Sequence, residues 1–346
     1  MPEGHTVHRL ARALEGLFGG ETLAVSSPQG RFAGGAALLD GRRMLAAEAW
    51  GKQLFCAFAP DGVDDPDDPD GVGDVRWLRV HLGLYGAWTF AGDPSTGSGG
   101  SGGRIVHAIG APRRRIGERE TTPLDGGPGA DPVPGAAGEW GPPAPRGAVR
   151  LRLLGTHAVA DLTGPTACEV LTGAEKAAVE ARLGPDPIRP DGGRASLDDA
   201  RSAFVARVRR SRVTVGQQLM DQAVIAGVGN IYRAEALFRA GVDPLRPGRD
   251  VPAAALAAIW DDLVVLMRDG AATGAIVTTR PEHRVPDGGG GRVTRQNTDG
   301  DADAVPRDAS FYVYHRDGLP CRVCGAPVLT KELAGRNLFW CGVCQA

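Results

Sequence analysis

Apolar residues recur at helical spacing at the start of the chain and again in its second half. Val7, Leu10 and Leu14 share one helical face, which predicts a helix over residues 5–18 that a glycine pair ends. Ser196, with an acidic residue three positions later, resembles a capping box at the start of another helix. The helical period predicts four helices after residue 196, over about 197–209, 214–225, 231–239 and 252–269, and Ser196 precedes the first of them.

Residues 22–90 and 149–164 have a different pattern. Short runs rich in β-branched and aromatic residues, such as KQLFCAFA and VRWLRVHLGLYGAWTF, are separated by turns, and this pattern predicts a β-sandwich. The expected fold is therefore α+β and multidomain, because strands and helices occupy different parts of the chain. The predicted domains are an N-terminal helix plus β-sandwich over 1–183, a helical domain over 196–280 and a compact Cys-rich segment over 310–346, with an interdomain linker over 184–195.

Composition adds flexible insertions to this plan. A chain of 346 residues suits two or three domains, and its 51 glycines and 26 prolines exceed what compact domains of this size use. No run of 18 apolar residues occurs, and the N-terminus lacks the pattern of a signal peptide, so we expect a cytoplasmic protein without a membrane span. The predicted insertions are 61–74, 91–103, about 117–147 and 281–309.

Charge is segregated although the net charge is only −2. Residues 61–74 hold seven aspartates and no basic residue, whereas residues 200–212 hold five arginines and no acidic residue. Such clusters are compatible with a nucleic-acid-binding protein but do not identify one. Only three of the 39 basic residues are lysines, one of which is Lys52, so a retained lysine is a candidate for a role that arginine cannot fill.

Four of the six cysteines form two C-x₂-C pairs separated by sixteen residues near the C-terminus. This spacing predicts one structural Zn²⁺ held by four thiolates in a zinc ribbon. Two disulfides or a redox pair are the alternatives; the lack of a secretion signal and the duplicated spacing favour zinc. The predicted ligands are Cys321, Cys324, Cys341 and Cys344, whereas Cys56 and Cys168 are expected to be ordinary buried residues.

The segment AGVGN joins two predicted helices and leaves two interpretations open. Gly227 and Gly229 allow close approach to the backbone, and Asn230 opens the following helix. A glycine-rich turn before a helix N-terminus is suited to bind a phosphate. The same glycines are also typical of a tightly packed helix corner.

Five motifs, in this order along the chain, resemble the formamidopyrimidine-DNA glycosylase/endonuclease VIII family. They are MPEG, AWGKQLF, HLGLYGAW, LMDQAVIAGVGNIYRAEALFRAGVDP and YHRDGLPCRVCG with RNLFWCGVCQ. The resemblance implies that the helical domain is a helix-two-turn-helix domain and that the Cys-rich segment is the family's zinc finger. It also implies a base-excision repair enzyme that acts on damaged DNA as a monomer associated with the nucleoid.

The resemblance also answers why proline and glutamate stand at the start of the chain. Pro2 matches the family's nucleophile once Met1 is removed, Glu3 its acid/base, and Lys52 its catalytic lysine. The chemistry suits the choice, because a free α-amine with a pKa near 8 is partly neutral at pH 7 whereas a lysine near 10.4 is almost wholly protonated. Attack by a secondary amine gives an iminium that stays cationic and draws electrons during later elimination.

Four further residues match positions at which the family contacts DNA. Asn230 and Arg336 match the helix-two-turn-helix asparagine and the zinc-finger arginine that hold phosphates beside the lesion. Leu84 and Tyr85 match the position whose side chains fill the gap left by a flipped base.

Two departures bear on the substrate. Thr6 stands where many relatives have glutamate, and Gly216 where formamidopyrimidine glycosylases tend to have lysine, so the chain leans toward the endonuclease VIII branch. The expected function is a bifunctional glycosylase/AP lyase that excises oxidised pyrimidines and cuts by β,δ-elimination. The alternatives are an oxidised-purine glycosylase, acting on 8-oxoguanine or formamidopyrimidines, and a non-catalytic damaged-DNA-binding relative. The intact Pro2, Glu3 and Lys52 argue against the last.

Overall fold

A computed structural model describes residues 2–63, 75–92, 109–110, 140–284 and 305–346. The predicted insertions over 61–74, 91–103, 117–147 and 281–309 lie mostly outside these residues. The chain forms two compact units: Pro2 with Val7–Glu180, and Glu3–Thr6 with Ala181–Ala346. No helix in the described ranges is long and apolar enough to cross a membrane.

The described residues of the first unit form nine antiparallel strands, hydrogen-bonded in the order β6-β5-β8-β7-β1-β2-β3-β4-β9. Its elements are α1 (Gly4–Phe18, whose first residues are counted with the second unit), β1 (Thr22–Ser26), α2 (Ala33–Leu39), β2 (Arg42–Trp50), β3 (Gln53–Ala59), β4 (Arg76–His81), β5 (Ala87–Gly92), β6 (Ile109–Gly110), β7 (Val149–Leu154), β8 (Ala158–Thr163), β9 (Ala167–Leu171) and α3 (Gly173–Glu180).

Strand β1 joins the two layers of a sandwich. Its first residues, Thr22 and Leu23, pair with β2, whereas Ala24–Ser26 pair with β7. Side chains from both halves, such as Phe58 on β3 and Leu151 on β7, share one buried apolar cluster with the inner face of α1. The predicted sandwich and N-terminal helix are therefore confirmed.

Two short helices of the first unit were not predicted. Helix α2 is formed by AGGAALL, which lacks the length and period of a recognisable amphipathic helix. Helix α3 places Val179 against the outer face of β3 and β4, where Phe55 and Trp77 are also buried. Both helices owe their stability to packing on the sheet, because helices this short are marginal in isolation.

The second unit is helical and ends in a two-stranded ribbon. Ser196 caps α4 as predicted, since its Oγ accepts a hydrogen bond from the Asp199 N–H at 3.1 Å. The core includes Phe204 against Trp260, with ring centroids 5.8 Å apart. Its elements are α4 (Leu197–Arg209), α5 (Val215–Gln218), α6 (Asn230–Arg239), α7 (Ala253–Thr273), α8 (Arg307–Ser310), β10 (Leu329–Leu333) and β11 (Arg336–Trp340), with 3₁₀ turns at Gly248–Asp250 and Pro281–His283.

The predicted helix over 214–225 is wrong beyond Gln218. After α5 the chain turns, because Asp221 Oδ1 accepts the Ala223 N–H at 2.9 Å and Gln222 Oε1 accepts the Gly227 N–H at 2.9 Å. Local side-chain hydrogen bonds of this kind compete with the helical pattern that the apolar spacing suggested.

Two segments expected to be loose are folded. The proposed linker belongs to the second unit, where residues 184–188 are buried and Asp186 Oδ1 accepts the Ile188 N–H at 2.8 Å. At the end of the predicted insertion over 281–309, Ala309 is 1% exposed.

Candidate functional site

The Glu3 carboxylate lies at the N-terminus of α6. Glu3 is 1% exposed, and its two oxygens accept hydrogen bonds from the N–H groups of Gly229 and Ile231, both at 2.8 Å. A longer contact of 3.5 Å comes from the Tyr232 N–H. The first N–H groups of a helix have no partner within it and carry its positive dipole end, so they stabilise a buried negative charge here.

Glycines make room for this contact. A Cβ on Gly229 would lie 2.4 Å from Glu3 Cδ, and a Cβ on Gly4 would lie 2.7 Å from Gly227 Cα. Gly4 also donates its N–H to the Gly227 carbonyl at 2.8 Å, and Gly227 has a φ of +90°. Close packing against Glu3 thus accounts for Gly229, the positive φ accounts for Gly227, and the anion beside the turn is a side chain of this protein.

Thr6 and Gly216, the two residues expected to bear on the substrate, are both packed tightly. Thr6 is 7% exposed, and its Oγ1 lies 3.3 Å from His5 Nε2, while His5 packs edge-on to Tyr232 at 5.5 Å. A Cβ on Gly216 would lie 2.8 Å from the Pro244 carbonyl oxygen. A longer side chain at Gly216 would therefore require the backbone to move.

Asn230 connects α6 to the ribbon. Its Nδ2 donates to the Asn337 carbonyl at 2.9 Å, one residue along β11 from Arg336, and both Asn230 and Arg336 are half-buried. Arg233 donates to the same carbonyl at 3.1 Å and also to Asn230 Oδ1. The two predicted phosphate contacts are thus carried by elements that are hydrogen-bonded to each other.

Sequence reasoning missed Arg233 and Glu235. Arg233 is fully buried, and burial lowers its pKa to about 10. Glu235 is also fully buried and accepts N–H groups from Tyr312, Val313 and Tyr314, each at 2.8 Å. The sequence did contain a signal for them: within the predicted helix, the segment YRAEALF places one arginine and one glutamate among apolar residues, where charged side chains need buried partners.

The first unit carries Pro2 and Lys52. Pro2 is buried and directly precedes Glu3 in the chain. Lys52 is half-buried in the turn between β2 and β3, where Gly51 has a φ of +59°. His81 on β4 pairs with Gln53 on β3, next to Lys52. Burial lowers the pKa of His81, and the positive charges of Arg79 and Lys52 lower it further.

Leu84 and Tyr85 lie in the turn between β4 and β5. The Gly86 N–H donates to the Leu82 carbonyl at 3.0 Å, which closes the turn, and Gly83 has a φ of +66°. Leu84 is half-buried, whereas Tyr85 is 54% exposed, which is unusual for a large aromatic side chain.

The four C-terminal cysteines converge. Their Sγ atoms all lie within 4.8 Å of one another, with 3.9 Å between Cys321 and Cys344 and 3.5 Å between Cys324 and Cys341. A tetrahedral Zn²⁺ with Zn–S bonds of about 2.3 Å requires sulfur separations of roughly 3.8 Å, so the cluster fits zinc. Gln345, which the sequence did not suggest, accepts the Cys341 N–H at 2.9 Å and donates to the Val242 carbonyl at 3.0 Å.

Comparison with known families matches all three parts of the chain. Residues 1–111 match the formamidopyrimidine-DNA glycosylase N-terminal domain, residues 183–281 the formamidopyrimidine-DNA glycosylase H2TH domain, and residues 318–346 a zinc finger found in FPG and IleRS. The zinc-finger match and the four sulfur atoms together assign one structural zinc to this protein.

Individual relatives extend the match to the whole chain. Endonuclease 8 1 of Mycobacterium bovis is 40% identical over 345 residues, which cover 100% of both chains. The formamidopyrimidine-DNA glycosylase of Geobacillus kaustophilus is 33% identical over 165 residues, 48% of this chain and 52% of that protein. The chain therefore belongs to the formamidopyrimidine-DNA glycosylase/endonuclease VIII family.

Solved structures share the fold. The Fpg protein of Thermus thermophilus aligns with a TM-score of 0.61 and 24% identity, over 99% of this chain and 98% of that chain. The Lactococcus lactis Fpg in complex with DNA containing an oxidised pyrimidine aligns with a TM-score of 0.64 and 18% identity, over 99% of both chains.

We expect Cys324→Ser to lose zinc and DNA affinity together, because a segment this small depends on its metal for folding energy. Zinc content by elemental analysis and binding to an abasic-site duplex measure the two effects. Cys168→Ser is the control, since this half-buried cysteine lies outside the cluster. Wild-type protein purified under reducing conditions without zinc would contradict the assignment.

Gly229→Ala should destabilise the protein by about 2 kcal/mol, because the new methyl group displaces a carboxylate from its charged hydrogen bonds. Gly16→Ala should instead be neutral or stabilise by up to about 1 kcal/mol, since its Cβ meets nothing within 4 Å in the exposed face of α1. Urea unfolding of both variants provides the test. Equal stabilities would show that Gly229 is not required for seating Glu3.

Proposed function

We propose that this protein is a bifunctional DNA glycosylase/AP lyase of base-excision repair that acts on damaged DNA. The observation that carries the proposal is the buried Glu3 carboxylate, held by the N–H groups of Gly229 and Ile231 directly beside Pro2 in the chain. A chain terminus is normally frayed. Here it is anchored one residue from a secondary amine, in a chain that belongs to a glycosylase family.

Pro2 is the nucleophile in this proposal, once removal of Met1 frees its nitrogen. The nitrogen attacks C1′ of the damaged nucleotide, and the bond from C1′ to the base breaks with its electron pair leaving on the base, which takes a proton from water. The sugar ring then opens to give an iminium ion. Glu3 takes the proton from the proline nitrogen and delivers it to the ring oxygen as the ring opens. The iminium accepts the electron pair released when a C2′ proton is lost to solvent, which drives β-elimination of the 3′ phosphate. Loss of a C4′ proton to solvent then drives δ-elimination of the 5′ phosphate.

The remaining site residues are assigned to DNA binding. Lys52 contacts DNA near the lesion, Asn230 and Arg336 hold flanking phosphates, and Leu84 and Tyr85 fill the vacated stack. The hydrogen bond from Asn230 to the backbone of β11, the strand that begins at Arg336, supports a common role for these two residues in holding phosphates. The exposure of Tyr85 supports its role as a wedge.

The zinc ion supplies structure in this proposal, because four thiolates leave no open coordination position. Its ligands are Cys321, Cys324, Cys341 and Cys344. We assign the sandwich domain to 1–183, the helix-two-turn-helix domain to 196–280 and the zinc finger to 310–346. We further propose that the protein acts as a monomer on nucleoid DNA in the cytoplasm.

We propose oxidised pyrimidines as preferred substrates. Damaged pyrimidines with non-planar rings stack poorly and are easier to extrude, whereas 8-oxoguanine stacks well and needs specific contacts. Gly216 leaves no space for the lysine of the purine-specific relatives, because a Cβ there meets the Pro244 backbone. The buried Thr6 likewise replaces a longer acidic side chain.

Blocking the N-terminus with an uncleaved tag should abolish catalysis and leave DNA binding intact, because Pro2 needs a free nitrogen. Borohydride trapping at an abasic site measures the covalent adduct, and electrophoretic mobility shift measures binding. The same tag removed by a protease that leaves Pro2 first should restore trapping. An adduct on the tagged protein would identify another nucleophile, with Lys52 the first to be tested.

Single-turnover excision of thymine glycol or 5-hydroxyuracil should be faster than excision of 8-oxoguanine from matched duplexes. If extruding the pyrimidine lesion from the duplex costs a few kcal/mol less than extruding 8-oxoguanine, the two excision rates should differ by at least about tenfold. Abasic sites should be cut to β,δ-elimination products, visible as a 3′-phosphate end. A rate on 8-oxoguanine equal to or above that on thymine glycol would place the substrate among oxidised purines.

A further inference from the structure

A groove lined by arginines lies on one side of the second unit, and the proposed repair chemistry makes no use of it. Its cavity volume is about 690 Å³, and the four exposed arginines along its edges are Arg182, Arg194, Arg207 and Arg210. Among the described residues, no carboxylate lines this first cavity. The arginine-rich segment 200–212 therefore forms part of a defined concave surface.

One wall of the groove is a face of helix α4, on which the lining residues recur at helical spacing. Ala203, Ala206, Arg207 and Arg210 follow the i, i+3, i+4, i+7 pattern, so they share one face of the helix. The opposite face, which includes Phe204, is buried in the core. One wall of the groove thus alternates between small apolar side chains and long cationic ones.

The floor of the groove is apolar. It includes Leu183 and Pro185 from the segment before α4 and Val224 from the turn after α5. A second cavity of about 480 Å³ shares Arg207, Arg210 and Val224 with the first, so the two form one continuous groove. Arg212 extends the cationic edge along this second part, which the carboxylate of Asp221 also lines.

Helix stabilisation explains only some of these arginines. Arg207 lies in the last turn of α4, where a positive charge interacts favourably with the helix dipole. Arg182 and Arg194 come from outside the helix and still face the same cavity. Among the described residues, Arg207 and Arg210 form no ion pair, so their charges are available to a ligand.

We infer that this groove binds an acidic peptide segment of another protein, with carboxylates on the arginine edges and an aliphatic or aromatic side chain on the apolar floor. Charge complementarity selects an acidic partner. The apolar floor favours a peptide over a nucleic-acid backbone, because charged phosphate oxygens gain nothing from burial against alanine, leucine and valine side chains, whereas an aliphatic or aromatic side chain does. The surface would recruit the protein to a partner and leave the chemistry unchanged.

Fluorescence anisotropy with the full-length protein tests this inference. The probe is a fluorescein-labelled peptide in which aspartates flank one leucine and one phenylalanine. The double variant Arg207→Glu/Arg210→Glu should weaken binding by at least about tenfold, because two attractive pairs become repulsive. Arg209→Glu is the matched control, since Arg209 is equally exposed on α4 but does not line the groove, and its affinity should stay within about twofold.

Two further binding experiments separate the contribution of the arginine charges from that of the apolar floor of the groove. A peptide with serines in place of leucine and phenylalanine should bind at least about tenfold more weakly to the wild type. Ala206→Trp, which fills the groove without changing charge, should weaken the original peptide similarly. All variants should keep the wild-type melting temperature and the wild-type rate of abasic-site cleavage in a short oligonucleotide.

The inference is overturned if the wild type does not bind the peptide, if Arg209→Glu loses as much affinity as the double variant, or if the serine peptide binds equally well. It is also overturned if the double variant binds the peptide normally but loses affinity for an undamaged duplex, which would assign the groove to DNA. Failure of the proposed glycosylase activity would appear separately, as absent cleavage by the wild type.

Discussion

The attachment of the third residue to the start of α6 is the interaction on which the rest of the site depends. A buried carboxylate is costly unless its charge is compensated, and here three backbone N–H groups and a helix dipole contribute to that compensation. Because residue 3 is fixed, the position of the nitrogen at residue 2 is restricted by one peptide unit. A terminus that would otherwise sample many conformations becomes preorganised.

Helix α6 makes three such connections in ten residues. Its first turn holds Glu3, Asn230 and Arg233 hold the backbone of β11, and Glu235 holds three consecutive N–H groups before the ribbon. The helix therefore relates the acid/base candidate to both phosphate-binding candidates through backbone atoms. A backbone N–H or carbonyl remains when the side chain of its residue is substituted. The connections made by α6 therefore tolerate sequence changes in the segments that they contact.

The sequence was informative where periodicity or ligand spacing set the structure. The sandwich strands, α4 with its cap, α7 and the cysteine cluster all follow from local patterns. Helix 214–225 was mispredicted because the hydrogen bonds of Asp221 and Gln222 stop it, a competition that apolar spacing does not record. The roles of Arg233 and Glu235 depend on partners about 80 to 100 residues away. The family motifs, not the residue patterns alone, identified Pro2 and Lys52 as candidates.

The contact between Glu3 and Gly229 spans 226 residues of sequence. During synthesis the first residues leave the ribosome early, but the N–H groups that receive Glu3 exist only after residues 229–232 have emerged. The beginning of α1 must therefore wait for most of the chain, while the sandwich residues between them can fold first. A chain released before residues 229–232 are made would lack the N–H groups that hold Glu3, so a seated Glu3 marks a chain whose synthesis has reached α6.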